Sequence, residues 1–418
     1  MNVAILSSSD GRRGGHAAAY RLHLGLIRLG VRSKLVVSEK TREDETIVGP
    51  KTKFQKGVAM IRPHLDSLPL KWYPSRQQLM FSPAVLPDSI VPTVGALRPE
   101  VIHMHWVNGG FLRIETLKHF RAPLIWTLHD MWPFTGGCHY DNECGRFRTQ
   151  CGSCPMLGSR KQKDLAHWVF SRKRKAWKKL NLTFVSPSRW LAKCAQQSSL
   201  FREFRVEVIP NGLDLSQYQP IDKEVARTLI GVPRDKQLIL FGAVNSTSDK
   251  RKGFDYLQPA LQLLKEKGWK DKAALVVFGA SEPDDASDLG LSAHYLGKLH
   301  DDVSLTVLYS AADVFVAPSR QDNLPNTIME ALACGTPCVA FDIGGIPDMI
   351  EHKQNGYLAE AYEPDDLARG VSWVLDDIAR WRKLSRRARQ KVEQEFELSS
   401  VARRYNALYE EVIAGSGS

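Results

Sequence analysis

Residues 313–341 read DVFVAPSRQDNLPNTIMEALACGTPCVAF. The stretch is a strand (313–318), a polar loop, a helix carrying Glu330, and a second strand (337–341). Both strands are apolar throughout rather than alternating, as expected for parallel strands covered on both faces. Strand, loop, helix, strand is a βαβ unit, and the same rhythm recurs outward in both directions. Apolar runs at 3–6, 34–37, 101–106, 124–129 and 182–186 predict strands in the first half. Runs at 206–210, 237–243, 274–280 and 294–299 predict strands before the quoted stretch. The fold class is therefore α/β, and two doubly wound halves fit the length better than one large sheet. The turn-forming Ile209-Pro210-Asn211-Gly212 marks the boundary region, so we expect domains at 1–205 and 206–398. A terminal helix begins at Ser399 or Ser400, with Val401, Tyr405, Leu408, Tyr409 and Val412 on one face.

Composition removes other classes. The chain has 418 residues, 43% apolar and 25% charged, enough for two real cores and unlike a disordered chain. No apolar run approaches the ~18–20 residues that span a bilayer. The start, Met1-Asn2-Val3-Ala4-Ile5-Leu6, has no basic leader and is expected to be a strand rather than a signal peptide. Seven cysteines, an odd number, do not suit a secreted disulfide scaffold. These features lead us to expect a cytoplasmic protein. The net charge of +11 favours an anionic partner: nucleotide phosphates, nucleic acid or an acidic membrane. Residues 51–99, interrupted by Pro63, Pro69, Pro74, Pro83 and Pro87, are expected to form a long loop with short helices.

Three segments carry chemistry. Gly11 and Gly14-Gly15 follow the first strand and open a helix, where backbone N–H groups and the helix N-terminus can meet a phosphate. The spacing is not GxGxxG, and an ordinary flexible loop is the alternative. Asp249-Lys250-Arg251-Lys252-Gly253 follows the strand ending at Gly242-Ala243, and its cations suit a diphosphate, although alone it could be a solvated charge run. In the quoted stretch, Asp322 sits at the helix entrance and Glu330 two turns in. Carboxylates there can accept sugar or ribose hydroxyls, and the N–H groups of Asn323 and Leu324 would face an anion.

Asp322 and Glu330 at this spacing, with Asp-Asn-Leu-Pro-Asn-Thr and Ala-Cys-Gly-Thr-Pro, resemble the E-x7-E signature of retaining glycosyltransferases of family 4, which have the GT-B fold. The first acid is often Glu, so Asp322 is a departure. Gly14-Gly15, His129-Asp130 after strand 124–128, Ile209-Pro210-Asn211-Gly212, Arg251-Lys252-Gly253, Gly344-Gly345-Ile346-Pro347 and Asn355-Gly356 match other family motifs. Where the family often has Arg after the glycine ending the strand, this chain has Ala243. The resemblance implies two Rossmann-like domains facing across a cleft, with helix 399–418 packing back on the first. It implies donor contacts at Gly14, Gly15, Arg251, Lys252, Asp322, Asn323, Leu324 and Glu330, with His129, Asp322 and Glu330 acting in catalysis. The co-substrate is then a UDP- or GDP-linked sugar, with no catalytic metal. The acceptor is a saccharide, expected to be lipid-linked, in cell-surface or exopolysaccharide biosynthesis, and nucleic acid is not a partner. His105, Trp106 and Asn108 are expected on the acceptor side, with packing of Trp106 against a buried histidine pair as the alternative.

Cys138, Cys144, Cys151 and Cys154 lie in one Gly-rich loop and suit a structural zinc, although the spacing is not standard; reduced thiols or a disulfide are the alternatives. Residues 160–180 form a basic amphipathic helix that reads as a contact for an anionic membrane on the inner face of the plasma membrane, or as a core helix with a solvated face. Two rivals to a transferase are a sugar-nucleotide epimerase on the same fold and a zinc- and nucleic-acid-binding protein; the α/β halves and the lack of a basic zinc-finger helix argue against the second.

Overall fold

The computed structural model describes residues 1–418 except 243–248, 281–288, 300 and 416–418. Ala243 therefore lies outside the described residues. The chain divides into one unit of Met1–Gly212 with Ser399–Ser418 and a second of Leu213–Leu398. The first holds β1 (Asn2–Ser9), β2 (Arg32–Glu39), β3 (Ile47–Val48), β4 (Val101–Met104), β5 (Leu124–Thr127), β6 (Leu182–Ser186) and β7 (Val206–Val208), in the order β3-β2-β1-β4-β5-β6-β7. The second holds β8 (Gln237–Gly242), β9 (Ala273–Phe278), β10 (Ser292–Tyr295), β11 (Val314–Ala317), β12 (Cys338–Phe341) and β13 (Gly356–Ala359), in the order β10-β9-β8-β11-β12-β13. Every pairing between these strands is parallel.

Continuous apolar runs are what this arrangement requires. Successive side chains point to opposite faces, so Ala4 and Leu6 enter one core while Val3 and Ile5 enter the other. Leu238 and Leu240 are divided from Ile239 and Phe241 in the same way. The sheets reverse strand order between β1 and β4 and between β8 and β11. Open parallel sheets place their ligand loops at the carboxyl ends of strands at such a switch point.

The expected division before Val206 is corrected. β7 pairs with β6, and Ile209 N–H donates to the Ser186 carbonyl at 3.1 Å, so residues 206–212 complete the first unit. The chain then leaves and returns through adjacent segments: Leu213 N–H donates to the Phe396 carbonyl and Leu398 N–H to the Leu213 carbonyl. The helix Leu398–Gly415 buries Val401, Ala402, Tyr405, Leu408 and Tyr409 against Val3, Ile5, Ile125 and Val185 of the first sheet.

Candidate active site

In the second unit, the loop after β8 and the loop after β11 are laced together. Arg320 N–H donates to the Arg251 carbonyl at 2.8 Å. Gly253 has φ +75°, and a Cβ there would lie 1.7 Å from the Pro318 carbonyl oxygen, so only glycine lets the two loops approach this closely. The lacing brings both cations onto Asp322. Lys252 Nζ donates to its carboxylate at 2.8 Å and Arg251 Nη1 at 3.2 Å. Burial pushes the Asp322 carboxyl up, but Lys252 and Arg251 outweigh it and hold the group below the usual carboxylate range. Asn323 N–H donates to Asp322 Oδ1 at 3.0 Å. Leu324 is buried in the core.

Glu330 lies on the helix Asn326–Ala333 and is 6% exposed. Tyr309 Oη donates to Glu330 Oε2 at 3.3 Å. Gly344, with φ +56°, passes so close to Asp322 that a Cβ would sit 2.1 Å from its carbonyl oxygen, and Gly345 N–H donates to that oxygen at 3.1 Å. The Gly344-Gly345 turn thus supports the loop that carries Asp322.

In the first unit, the helix Gly14–Arg28 starts behind His129. A Cβ on Gly15 would lie 2.7 Å from the His129 ring, so the glycine makes room for the imidazole. His129 Nε2 is 2.8 Å from His105 Nδ1, one ring donating to the other. His103 lies 4.3 Å from His105, ring centre to ring centre, and bonds Thr127 and Tyr409 through its two nitrogens. His16 packs edge-on to Trp106 and shares a 2.9 Å hydrogen bond with Ser7. Burial pushes His129 and His16 down to about 4 and His103 to about 3. These rings are neutral at pH 7, so they act as hydrogen-bonding groups rather than cations.

Asp130 accepts from Trp106 Nε1 at 3.0 Å, His139 Nδ1 at 2.7 Å and Trp132 N–H at 2.8 Å. His139 also bonds Ser82 at 2.8 Å. Trp106 is therefore positioned by a buried carboxylate. His105 Nε2 and Asn108 Oδ1 are buried with no hydrogen-bond partner among the described residues. Sequence reasoning missed His16, His139 and Tyr409. His16 directly follows Gly14-Gly15 and His139 directly follows Cys138, so those two were within reach; Tyr409 stands 306 positions from His103, beyond any local signal.

The zinc expectation is corrected. Cys138, Cys151 and Cys154 are buried in the first unit's core, and all four thiols of the loop are free. Burial pushes Cys151 up to about 12 and Cys154 to about 11, which keeps them as neutral thiols. Among the described residues, no group of three or more His, Cys, Asp or Glu is arranged to hold a metal ion. The four cysteines as placed do not fit zinc. The basic helix at 160–180 is Leu165–Trp177, and it buries Leu165, Ala166, Val169, Phe170, Lys173 and Trp177. Arg172 donates to both Glu115 oxygens at 2.7 Å. Most of its apolar face is core, the alternative reading of this helix, while Trp168 stays 47% exposed.

Two parallel doubly wound units with polar clusters at their switch points define the GT-B scaffold. The structure matches sucrose-phosphate synthase from Thermosynechococcus elongatus with a TM-score of 0.70 and 18% identity, over 99% of this chain and 100% of that one. It matches Anabaena HepE in complex with UDP and glucose with a TM-score of 0.65 and 16% identity, over 98% and 99%. Residues 12–217 match Glycosyltransferase Family 4, and residues 235–377 match Glycosyl transferases group 1. The glycosyltransferase MJ1607 of Methanocaldococcus jannaschii, itself uncharacterized, is 30% identical over 74% of this chain and 75% of its own length. WcaC of Escherichia coli, named for colanic acid biosynthesis, is 28% identical over 58% of this chain, and the match spans 60% of WcaC. The chain belongs to the family 4, group 1 glycosyltransferases.

Proposed function

We propose that this chain transfers a sugar from a UDP- or GDP-linked donor to a saccharide acceptor, with retention at the anomeric carbon, in building a cell-surface or exported polysaccharide. The acceptor is lipid-linked and the reaction is cytoplasmic. The observation that carries this reading is the convergence of Arg251 and Lys252 on Asp322 at the β8/β11 switch point. A diphosphate is the ligand that such a cation pair recognises at the end of a parallel strand. In this reading Glu330 takes the ribose hydroxyls and Asp322 orients the sugar. Gly14 and Gly15 add backbone N–H groups.

As the bond from C1 to the phosphate oxygen breaks, charge grows on the diphosphate, where Arg251 and Lys252 stabilise it. The acceptor oxygen bonds to C1, and its proton passes to the departing diphosphate. His129, a neutral imidazole, hydrogen-bonds the sugar without adding positive charge beside an oxocarbenium-like centre. HepE's complex with UDP and glucose and the name of WcaC support the donor class and the polysaccharide setting.

Calorimetric titration against UDP-, GDP- and ADP-sugars tests the donor assignment. One of them should bind, and Arg251→Ala should weaken it at least ten-fold. Binding that ignores this variant would sink the assignment. NMR of the product's anomeric proton tests retention.

A further inference from the structure

The helix Lys53–Asp66 is inverted relative to an ordinary surface helix. Its buried residue is Asp66, not an apolar one. Asp66 accepts from the backbone N–H groups of Ala84 and Val85 at 3.1 and 2.7 Å. Arg62 donates to the carbonyls of Gly110 and Pro87 at 2.7 and 2.6 Å. Polar side chains therefore dock the helix on its unit. Phe54, Val58, Ile61 and Leu65, at the i, i+4, i+7, i+11 spacing of one stripe, are 79%, 40%, 55% and 43% exposed. The stripe continues into the 3-10 turn Leu68–Trp72, where Leu70 is buried while Leu68 is 45% and Trp72 80% exposed. Soluble proteins rarely leave a contiguous apolar face open.

The exposed charge of this segment has one sign. Residues 51–76 contain six Lys and Arg against one acid, Asp66, which is buried and committed to backbone. Lys51, Lys53, Lys56 and Lys71 are exposed beside the stripe. No helix among the described residues is long and apolar enough to cross a membrane. An apolar stripe, an exposed tryptophan and flanking lysines are the chemistry of a surface that lies in the interface of an anionic bilayer.

We infer that residues 51–76 dock this protein on an anionic lipid bilayer. Phe54, Ile61, Leu65 and Trp72 enter the acyl boundary, and the lysines meet the headgroups. The inference concerns where the chain works, and its test needs no donor or acceptor, so its failure would leave the transferase reading standing.

The test is flotation of the full chain with vesicles of phosphatidylcholine alone and of equal parts phosphatidylcholine and phosphatidylglycerol. The protein should float with the anionic vesicles and not with the neutral ones. Phe54→Ser with Trp72→Ser should cut binding at least ten-fold, with circular dichroism and melting temperature unchanged. Lys53→Gln with Lys56→Gln should cut it roughly five-fold per lysine. Val303→Ser, an equally exposed residue of the second unit, should leave it unchanged. Absence of vesicle binding, or binding that survives both double variants, would overturn the inference. So would a wild-type dimer in sedimentation that the Phe54→Ser, Trp72→Ser variant makes monomeric, because a second copy would then cover the stripe.

Discussion

Asp322 and Glu330 stand eight positions apart but meet different surroundings. Asp322 holds two cations within hydrogen-bond range, while Glu330 receives a tyrosine hydroxyl. If Glu330 binds ribose, Glu330→Gln should weaken donor binding at least ten-fold, since a charge-assisted hydrogen bond is worth ~1.5–3 kcal/mol. The Gln carbonyl can still accept from Tyr309, so the melting temperature should hold; calorimetry and a thermal melt together check this. His129 lies in the other unit, and in the proposed reaction it serves the chemistry rather than nucleotide affinity. His129→Ala should lower turnover roughly 10²-fold and leave nucleotide affinity unchanged. Near wild-type turnover with the true acceptor would make His129 a packing residue. Because burial holds its pKa at about 4, wild-type turnover should show no histidine step between pH 6 and 8.

At the scale of elements, the polar cluster in each unit is built from strand-end loops fitted around glycine. Gly253→Ala should loosen the Arg251–Lys252 loop from the Asp322 loop, because its Cβ would overlap the Pro318 carbonyl. Donor affinity should fall together with melting temperature. Gly231, also at positive φ (+68°) but with nothing within 4 Å, is the matched control. Gly231→Ala should cost only about 1 kcal/mol and spare donor binding. Equal losses in the two variants would show that backbone strain, not the loop contact, matters at Gly253. The two basic helices show how far pattern reading reaches. Leu165–Trp177 and Lys53–Asp66 both combine apolar residues with lysines. The sequence left the first open between a membrane contact and a core helix and did not single out the second, yet it is the second that leaves its apolar stripe in water, because Asp66 and Arg62 turn its polar side inward.

At the scale of the molecule, the histidine chain couples fold stability to pH. His103, wholly buried, is pushed to about 3 from an ordinary value of 6.5, and His129 to about 4. The unfolded chain then binds more protons than the folded one below pH 6.5, so stability falls as pH drops toward about 4. Each such histidine contributes up to about 1.4 kcal/mol per pH unit in that window. The urea midpoint should be clearly lower at pH 5 than at pH 7, and an unchanged midpoint would contradict the buried, neutral assignment. By itself the sequence determined the α/β class, the two-unit plan and the Asp322–Glu330 and Arg251–Lys252 motifs. Those signals are local: apolar runs, turn residues and fixed spacings survive without knowledge of distant contacts. Tertiary structure alone decided that the cysteines enter a core, that Arg251 and Lys252 rest on Asp322, that His103 leans on Tyr409, and which amphipathic helix keeps its apolar face uncovered. Each of these depends on what the chain brings back from far along its length, and no local period records that.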